Sequence, residues 1–350
     1  MNIAFIRHSI RNRGADRLVF EYIRYLLGQG HQVVYYINDQ NSLLTVPAGC
    51  RMEQIPQPGI MGTMTFLFNT RFSHEIVIVD LMLNACLAHH RNAGRVLCLA
   101  QDNDITYFQD PIRRWAFVLF YRLGLACWRI PTITVSDALR EELLALGACP
   151  QKIIAVNNGA DHTIFYPLPK NQDDRASSAR TTIVLYLRDD YRKGTDIGIL
   201  ALQSLHSFCP QDSFDVWTIG DSKKWKDKLP KEARHLGVLD EPRLRDVLSR
   251  ADIFLCPSRH EGFGLLPLQA MACGCAVVST SAVPFLRKDK DALIVNINDH
   301  QGLALAAASL IKDAGRLFEY KNAALKRARD LDLVHSRKAF EQALIALTVK

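Results

Sequence analysis

The sequence alternates short apolar runs with amphipathic segments, and it does so twice along the chain. In the first half, a strand at Asn2–Arg7 precedes a helix at Asp16–Leu27, whose apolar residues recur at helical spacing, and a second strand at His31–Ile37 follows. Such a β-α-β unit requires parallel strands. The pattern starts again at Thr182–Arg188 and Thr195–Leu205. It predicts an α/β protein with two doubly wound, Rossmann-like domains that face each other across a cleft.

A polar segment, residues 167–180, separates the two halves. It contains turn-forming residues without periodicity, which is typical of an interdomain linker. We therefore predict a first domain over residues 1–167 and a second over residues 168–330. The length of 350 residues also favours two domains.

The charge balance of 43 basic and 36 acidic residues gives a net charge of +7. This modest excess suits an anionic ligand or membrane surface but gives no reason to expect nucleic-acid binding. Nine cysteines, mostly in apolar segments, indicate reduced core thiols. Because we find neither a signal peptide nor an apolar run that could cross a membrane, we expect a cytoplasmic protein.

The most informative motif is SRHEGFGLLPLQAMACGC, residues 258–275. It follows the apolar strand Ala251–Cys256, and the carboxyl ends of such strands bind ligands in open α/β sheets. Glu261 can accept sugar hydroxyls, the glycines on either side of Phe263 allow a close backbone approach, and the helix from Leu265 offers free N–H groups. The alternative is a tight turn beside a solvated acid, since a glycine-rich loop before a helix is a weak signal.

Two basic residues follow the first strand of the second half. Arg188 ends that strand, and Lys193 lies just before the next helix. Loops at the carboxyl edge of a parallel sheet converge, so these cations, a helix N-terminus and a carboxylate predict a diphosphate pocket. An ordinary basic loop, in which Asp189 and Asp190 neutralise Arg188, is the alternative.

Several motifs together resemble family 4 glycosyltransferases, which are retaining enzymes of the GT-B fold. The resembling residues are Glu261-Gly-Phe-Gly264, Pro267, Ala270-Met-Ala272, Gly274, Gly14-Ala15-Asp16-Arg17, Asn158-Gly159-Ala160-Asp161, Arg188 and Lys193-Gly194. They extend over nearly the whole chain. The resemblance implies transfer of a sugar from a nucleotide-diphosphate donor to a hydroxyl of a glycan, lipid-linked or small-molecule acceptor. It implies no metal and no cofactor, the nucleotide-sugar being a co-substrate.

Carried over position by position, the resemblance also assigns roles. Arg188 and Lys193 would grip the donor diphosphate and stabilise the leaving group, and Glu261 would face the hydroxyls of the donor sugar. The loop at Gly14 would close on the diphosphate, and a last helix, spanning residues 331–350, would return to the first domain. The backbone of four consecutive residues would hold phosphate or sugar oxygens: Gly262, Phe263, Gly264 and Leu265.

This chain departs from the family pattern at two places. The family usually has a second glutamate, which binds ribose, where this chain has Gln269. Because a hydrogen bond to a charged acceptor is worth about 1.5–3 kcal/mol and one to a neutral acceptor about 1 kcal/mol, ribose would be held more weakly. A deoxyribose donor such as a dTDP-sugar is one hypothesis, and neutral drift at a secondary contact is the other.

The second departure follows the strand Arg95–Ala100. Many family members place a histidine there, whereas this chain continues with Gln101-Asp102-Asn103-Asp104. Gln101, Asp102, Asp104 and, after the first strand, His8 are therefore candidates on the acceptor side. Structural roles for these residues are the alternative.

A basic and aromatic segment, residues 111–123, has two interpretations. It is either a helix that contacts the inner face of the membrane and meets a lipid-linked acceptor, or a core helix whose arginines extend to water.

Two other functions remain open for the whole chain. They are a degenerate, non-catalytic transferase that serves as a scaffold, and a sugar-nucleotide epimerase on the same fold.

Overall fold

The computed structural model describes residues 1–10, 14–40, 45–169, 180–221 and 223–348. The chain forms two compact units. The first contains residues 1–157 and the C-terminal residues from His335 onward, and the second contains residues 158–334. Most of the predicted linker, residues 170–179, lies outside the described residues.

The division between the units falls after Asn157, ten positions before the predicted boundary at residue 167. Residues 158–166 belong to the second unit because they pack there. Ala160 forms a parallel β-bridge with Asp332, and the Tyr166 hydroxyl accepts a hydrogen bond from Arg245 at 3.0 Å. The polar composition that marks the linker therefore begins after the structural boundary.

The first unit is built on seven described strands: β1 (Asn2–Ile10), β2 (Gln32–Gln40), β3 (Arg51–Gln54), β4 (Ile76–Val79), β5 (Val96–Ala100), β6 (Thr132–Thr134) and β7 (Ile153–Ala155). They form one parallel sheet in the order β3-β2-β1-β4-β5-β6-β7. All residues of β4 and β5 are buried, as expected for strands covered on both faces. The prediction ended the first strand at Arg7, but β1 continues because its pairing with β2 extends to Ile10 opposite Gln40.

Helices cover this sheet between the strands. They are α1 (Gly14–Gly28), α2 (Gly59–Asn69), α3 (Met82–Asn92), α4 (Pro111–Arg122) and α5 (Asp137–Ala145). Ser136 caps the N-terminus of α5, since its hydroxyl accepts the Leu139 N–H at 3.1 Å.

The second unit repeats this architecture. Its described strands are β8 (Thr181–Tyr186), β9 (Phe214–Ile219), β10 (Arg234–His235), β11 (Ile253–Cys256), β12 (Ala276–Thr280) and β13 (Leu293–Val295). They form a parallel sheet in the order β10-β9-β8-β11-β12-β13. The accompanying helices are α6 (Thr195–Leu205), α7 (Lys223–Lys226), α8 (Glu241–Arg250), α9 (Leu265–Ala272), α10 (His300–Lys312) and α11 (Ala314–Asp330).

The last described helix, α12 (Leu333–Thr348), carries the chain back to the first unit. The Phe340 ring stacks on Tyr22 of α1 with the centroids 4.0 Å apart, and the Ser336 hydroxyl donates to the Asn157 carbonyl. Among the helices described, none combines the length and the apolar character that crossing a bilayer requires.

Candidate active site

The strand order of the second sheet reverses between β8 and β11. From β8 the sheet continues through β9 to β10, and from β11 it continues the other way through β12 to β13. In open α/β sheets, ligands bind at the carboxyl ends of the strands on either side of such a reversal. The two segments that leave these ends are residues 187–194 after β8 and residues 257–264 after β11. We call them the β8 loop and the β11 loop.

A lysine and a glutamate join the two loops. Lys193 Nζ donates to Glu261 Oε2 at 2.8 Å, and the two side chains are only 17% and 11% exposed. The other carboxylate oxygen of Glu261 accepts from the Ser258 hydroxyl, also at 2.8 Å. The Glu261 carboxylate is therefore fixed through both oxygens. Its partner Lys193 is held at the carboxyl edge of the sheet, where the strand order reverses.

Two glycines let these loops adopt their positions. Gly194 has φ +61°, and a β-carbon there would lie 2.0 Å from the Pro257 carbonyl oxygen. Gly264 has φ +96° and directly precedes α9, and a β-carbon there would approach Val283 to 2.9 Å. Only glycine fits both the left-handed backbone and the close approach. Gly264 thus has the positive φ that the motif allows, and the predicted contact of this backbone with a ligand stays a prediction.

Arg188 is the second residue of the β8 loop. Its backbone is fixed by Thr195, which accepts the Arg188 N–H at 3.0 Å and donates to its carbonyl at 2.8 Å. Within the described ranges, no hydrogen bond or ion pair occupies the Arg188 guanidinium. Asp190 binds Arg192 instead, with 3.0 and 2.6 Å contacts. Although burial favours the neutral acid, these hydrogen bonds keep the pKa of Asp190 below its usual value.

The remaining donor-side candidates lie in the β11 loop and α9. Phe263 is buried and its ring stacks on Phe285 at 5.0 Å, so only its backbone can face a ligand. Gly262 is buried, and Leu265 is the half-buried first residue of α9. Gln269 is half-buried one turn later, and its amide has no hydrogen-bond partner among the residues described.

In the first unit, Gly14 is the first residue of α1, two positions before the predicted start at Asp16. His8 lies within β1, and its Nδ1 is 2.9 Å from the Thr63 hydroxyl. His8 thus lies inside the first strand, whereas the sequence predicted a position after it. Residues 11–13, between strand and helix, lie outside the described residues.

The acceptor-side candidates after β5 differ from one another. Asp104 is buried, and its carboxylate accepts from the Tyr121 hydroxyl at 2.7 Å. Burial, and then the nearby Asp80 carboxylate, raise its pKa to about 7 although the Tyr121 hydrogen bond opposes this shift. The Asp104 carboxyl is therefore engaged inside the first unit, and its predicted contact with an acceptor stays a prediction. Asp102 accepts the N–H of Asn103 at 2.9 Å, and the buried Gln101 amide nitrogen has no partner in the described part of the chain.

Sequence reasoning missed three residues that shape the site. Ser258 orients Glu261, Thr195 fixes the backbone of Arg188, and Arg259 bonds to several segments around the loops. Only the position of Ser258 and Arg259 inside the glycine-rich motif could have drawn attention to them. Among the described residues, no three His, Cys, Asp or Glu side chains group as metal ligands would.

Comparison with known proteins gives a family match over residues 180–313, to "Glycosyl transferases group 1". A phosphatidylinositol N-acetylglucosaminyltransferase component of Arabidopsis thaliana is 31% identical in an alignment 294 residues long, which covers 76% of this chain and 64% of that protein. The phosphatidyl-myo-inositol mannosyltransferase of Mycolicibacterium smegmatis is 30% identical in an alignment 192 residues long, which covers 53% of this chain and 49% of that protein. The chain thus spans between about half and two thirds of the length of these curated relatives.

Solved structures match over the whole chain. Sucrose-phosphate synthase from Thermosynechococcus elongatus superposes with a TM-score of 0.80 at 18% identity, covering 99% of this chain and 98% of that one. Anabaena HepE, solved with UDP and glucose, gives 0.78 at 16% identity, covering 99% and 100%. These likenesses confirm the predicted fold, two parallel sheets with interleaved helices in the GT-B architecture. The predicted cleft between the domains stays a prediction.

Proposed function

We propose that the chain moves a sugar from a nucleotide-diphosphate donor to a hydroxyl group, since its residues 180–313 match the family of group 1 glycosyl transferases. The observation that carries this proposal is the Lys193–Glu261 pair, held at 2.8 Å where the strand order reverses, with Arg188 in the same β8 loop as Lys193. The solved HepE complex, which contains UDP and glucose, supports a nucleotide-sugar donor.

The proposed chemistry assigns each side chain one task. The bond between the sugar carbon and the diphosphate oxygen breaks, the acceptor oxygen bonds to that carbon, and the proton of the acceptor hydroxyl passes to the departing diphosphate. Negative charge grows on the departing diphosphate, where Arg188 and Lys193 stabilise it. Glu261 accepts hydrogen bonds from the sugar hydroxyls. The proposal includes retention of the anomeric configuration. It also includes independence of metal, since two side-chain cations already supply positive charge.

The acceptor is a glycan, a lipid-linked sugar or a small molecule, and the surface of α4 favours a lipid-linked one. Ile112, Trp115 and Leu119 recur on one face of this helix and are 77%, 68% and 53% exposed. The buried-helix alternative does not match this surface, because Tyr121 is the buried residue of α4. Exposed apolar side chains beside Arg113 and Arg114 suit the interface of an anionic bilayer. We therefore include peripheral contact with the inner face of the membrane in the proposal.

Flotation with anionic vesicles tests the membrane contact. The wild-type protein and a Phe318→Glu control, which changes an aromatic residue of similar exposure in the second unit, should both float with the lipid. A Trp115→Glu variant should remain at the bottom of the gradient. Equal flotation of all three proteins, or of none, contradicts the contact.

Thermal stabilisation by UDP, GDP, ADP and dTDP, followed by a transfer assay with the matching sugars, tests the main proposal. We expect one nucleotide to raise the melting temperature and its sugar to be transferred. An absence of stabilisation by all four would favour the scaffold. Release of free nucleoside diphosphate without an acceptor would favour the epimerase, because a transferase releases it only on transfer.

A further inference from the structure

Arg259 follows Ser258 in the β11 loop, and its guanidinium is bonded on every side. Nη1 and Nη2 donate to the two carboxylate oxygens of Asp196 at 2.8 and 2.7 Å. Nε donates to Asn298 Oδ1 at 2.6 Å, and Nη1 also donates to the Tyr191 carbonyl at 2.9 Å. One side chain thus ties the β11 loop to the β8 loop, to the first turn of α6 and to the segment before α10.

The same residue joins the two loops through its backbone and by stacking. The Arg259 N–H donates to the Arg192 carbonyl at 2.6 Å, and the next N–H, of His260, donates to the same oxygen at 3.2 Å. The guanidinium carbon lies 4.1 Å from the centroid of the Tyr191 ring. These contacts lie next to Lys193 in one loop and Glu261 in the other.

The charge of Arg259 is already balanced within the protein. Its bidentate hydrogen bonds lower the pKa of Asp196 below the usual value for an aspartate, as expected when a guanidinium fork matches a carboxylate. Its donors are thus directed at protein acceptors, so the residue is suited to holding loops rather than to binding the donor.

We propose that Arg259 is a positioning residue, which sets the Lys193–Glu261 geometry by locking the β8 loop to the β11 loop. The inference rests on the proposed sugar transfer. Since a misplacement of about 1 Å can cost a factor of about a hundred in rate, loosening this lock reduces turnover although Arg259 does not touch the substrate.

Hydrogen–deuterium exchange tests the lock without requiring activity. In Arg259→Ala, peptides covering residues 187–195 and 257–264 should exchange faster than in the wild type. Arg245→Ala is the matched control, because Arg245 also stacks on a tyrosine and pairs with an aspartate in the same unit, but on α8. The control should leave both loops unchanged. Equal exchange in Arg259→Ala and the wild type would overturn the lock.

Kinetics then test the positioning role. We expect kcat to fall between about tenfold and a hundredfold in Arg259→Ala, with a smaller change in the donor KM and partial rescue by Arg259→Lys, which keeps the charge but not the fork. In a Glu261→Ala background, Arg259→Ala should cause little further loss.

An unchanged kcat with looser loops, or a full additional loss in the Glu261→Ala background, would overturn the positioning role. Failure of the proposed function would look different. The wild-type protein itself would then transfer no sugar, while hydrogen exchange would still decide whether Arg259 locks the loops.

Discussion

The carboxyl edges of the two sheets share a topology but use charge differently. In the first unit the strand order reverses between β1 and β4, and there Arg7 lies between Asp16 at 2.7 Å and Asp80 at 2.9 Å, with only 13% of its side chain exposed. In the second unit the corresponding edge carries the Lys193–Glu261 pair and Arg188. One cation at the first edge meets two carboxylates, whereas at the second edge Lys193 meets one carboxylate and no ion pair of the Arg188 guanidinium is found among the described residues.

This difference shows that a reversal of strand order does not by itself create an anion site. At the first edge, two carboxylates outweigh the one cation that they hold, which does not favour a further anion. At the second edge, positive charge remains for a ligand. We therefore expect the diphosphate at the second unit because of the balance of side-chain charge and not because of topology.

The largest expected effect tests the structural side of this comparison. Arg7→Met leaves Asp16 and Asp80 without their shared cation, and breaking a buried pair in this way costs about 3–5 kcal/mol. Urea unfolding should show this loss in the first unit. Arg51→Met is the control, because the Arg51–Glu53 pair is exposed and should contribute about 0–1 kcal/mol. Lost nucleotide binding with unchanged stability would break the comparison.

The next effect concerns catalysis at the second edge. Lys193→Ala and Glu261→Ala should each reduce turnover by about a hundredfold or more, because each removes a group that stabilises the transition state. Lys321→Ala is a matched control, since Lys321 pairs with Asp252 at 2.7 Å elsewhere in the same unit. Circular dichroism should show that all three variants are folded. Full turnover in both site variants would refute the assignment.

A smaller effect is the pH dependence that Asp104 gives the first unit. Because the pKa is raised to about 7 in the folded state, from 3.8, the folded protein holds a proton that the unfolded chain has lost. Stability should therefore fall as pH rises from 4 to 7, by at most about 1.4 kcal/mol per pH unit from this group. Asp104→Asn should flatten the pH dependence of the melting temperature. An unchanged slope would contradict this account.

The smallest expected effect concerns the contact between residue 269 and the ribose of the donor nucleotide. Gln269→Glu should strengthen binding of the ribonucleotides UDP or GDP by up to about tenfold, because a charged acceptor holds a hydroxyl more strongly. Binding of dTDP should change little, and calorimetry can measure both. If wild-type protein already prefers a ribonucleotide strongly, the deoxyribose hypothesis for Gln269 is wrong.

Much of this architecture could be predicted because each strand and helix has a recognisable pattern in its own residues. The helix Thr195–Leu205 has the predicted bounds, since its apolar spacing and the flanking turn residues define it. The predicted residues Lys193 and Glu261 are also brought together, because parallel strands deliver their loops to one edge. The role of Arg259 could not be predicted, since its partners Asp196 and Asn298 are distant in sequence and only the folded loops bring them together.

Burial explains the other differences. Asp104 looked like an acceptor contact because it follows a strand end, but Tyr121, on α4, covers it. No local pattern reveals that pairing. The extension of β1 to Ile10 likewise depends on the length of its neighbour β2 rather than on its own residues.

The helix that completes the first unit follows the whole of the second unit along the chain. Until Phe340 has emerged from the ribosome, the surface of α1 that it covers faces water. Domains on a growing chain generally fold as units, so residues 158–334 can form the second unit while the first is still unfinished. The first unit, whose synthesis begins before that of the second, is therefore completed after it.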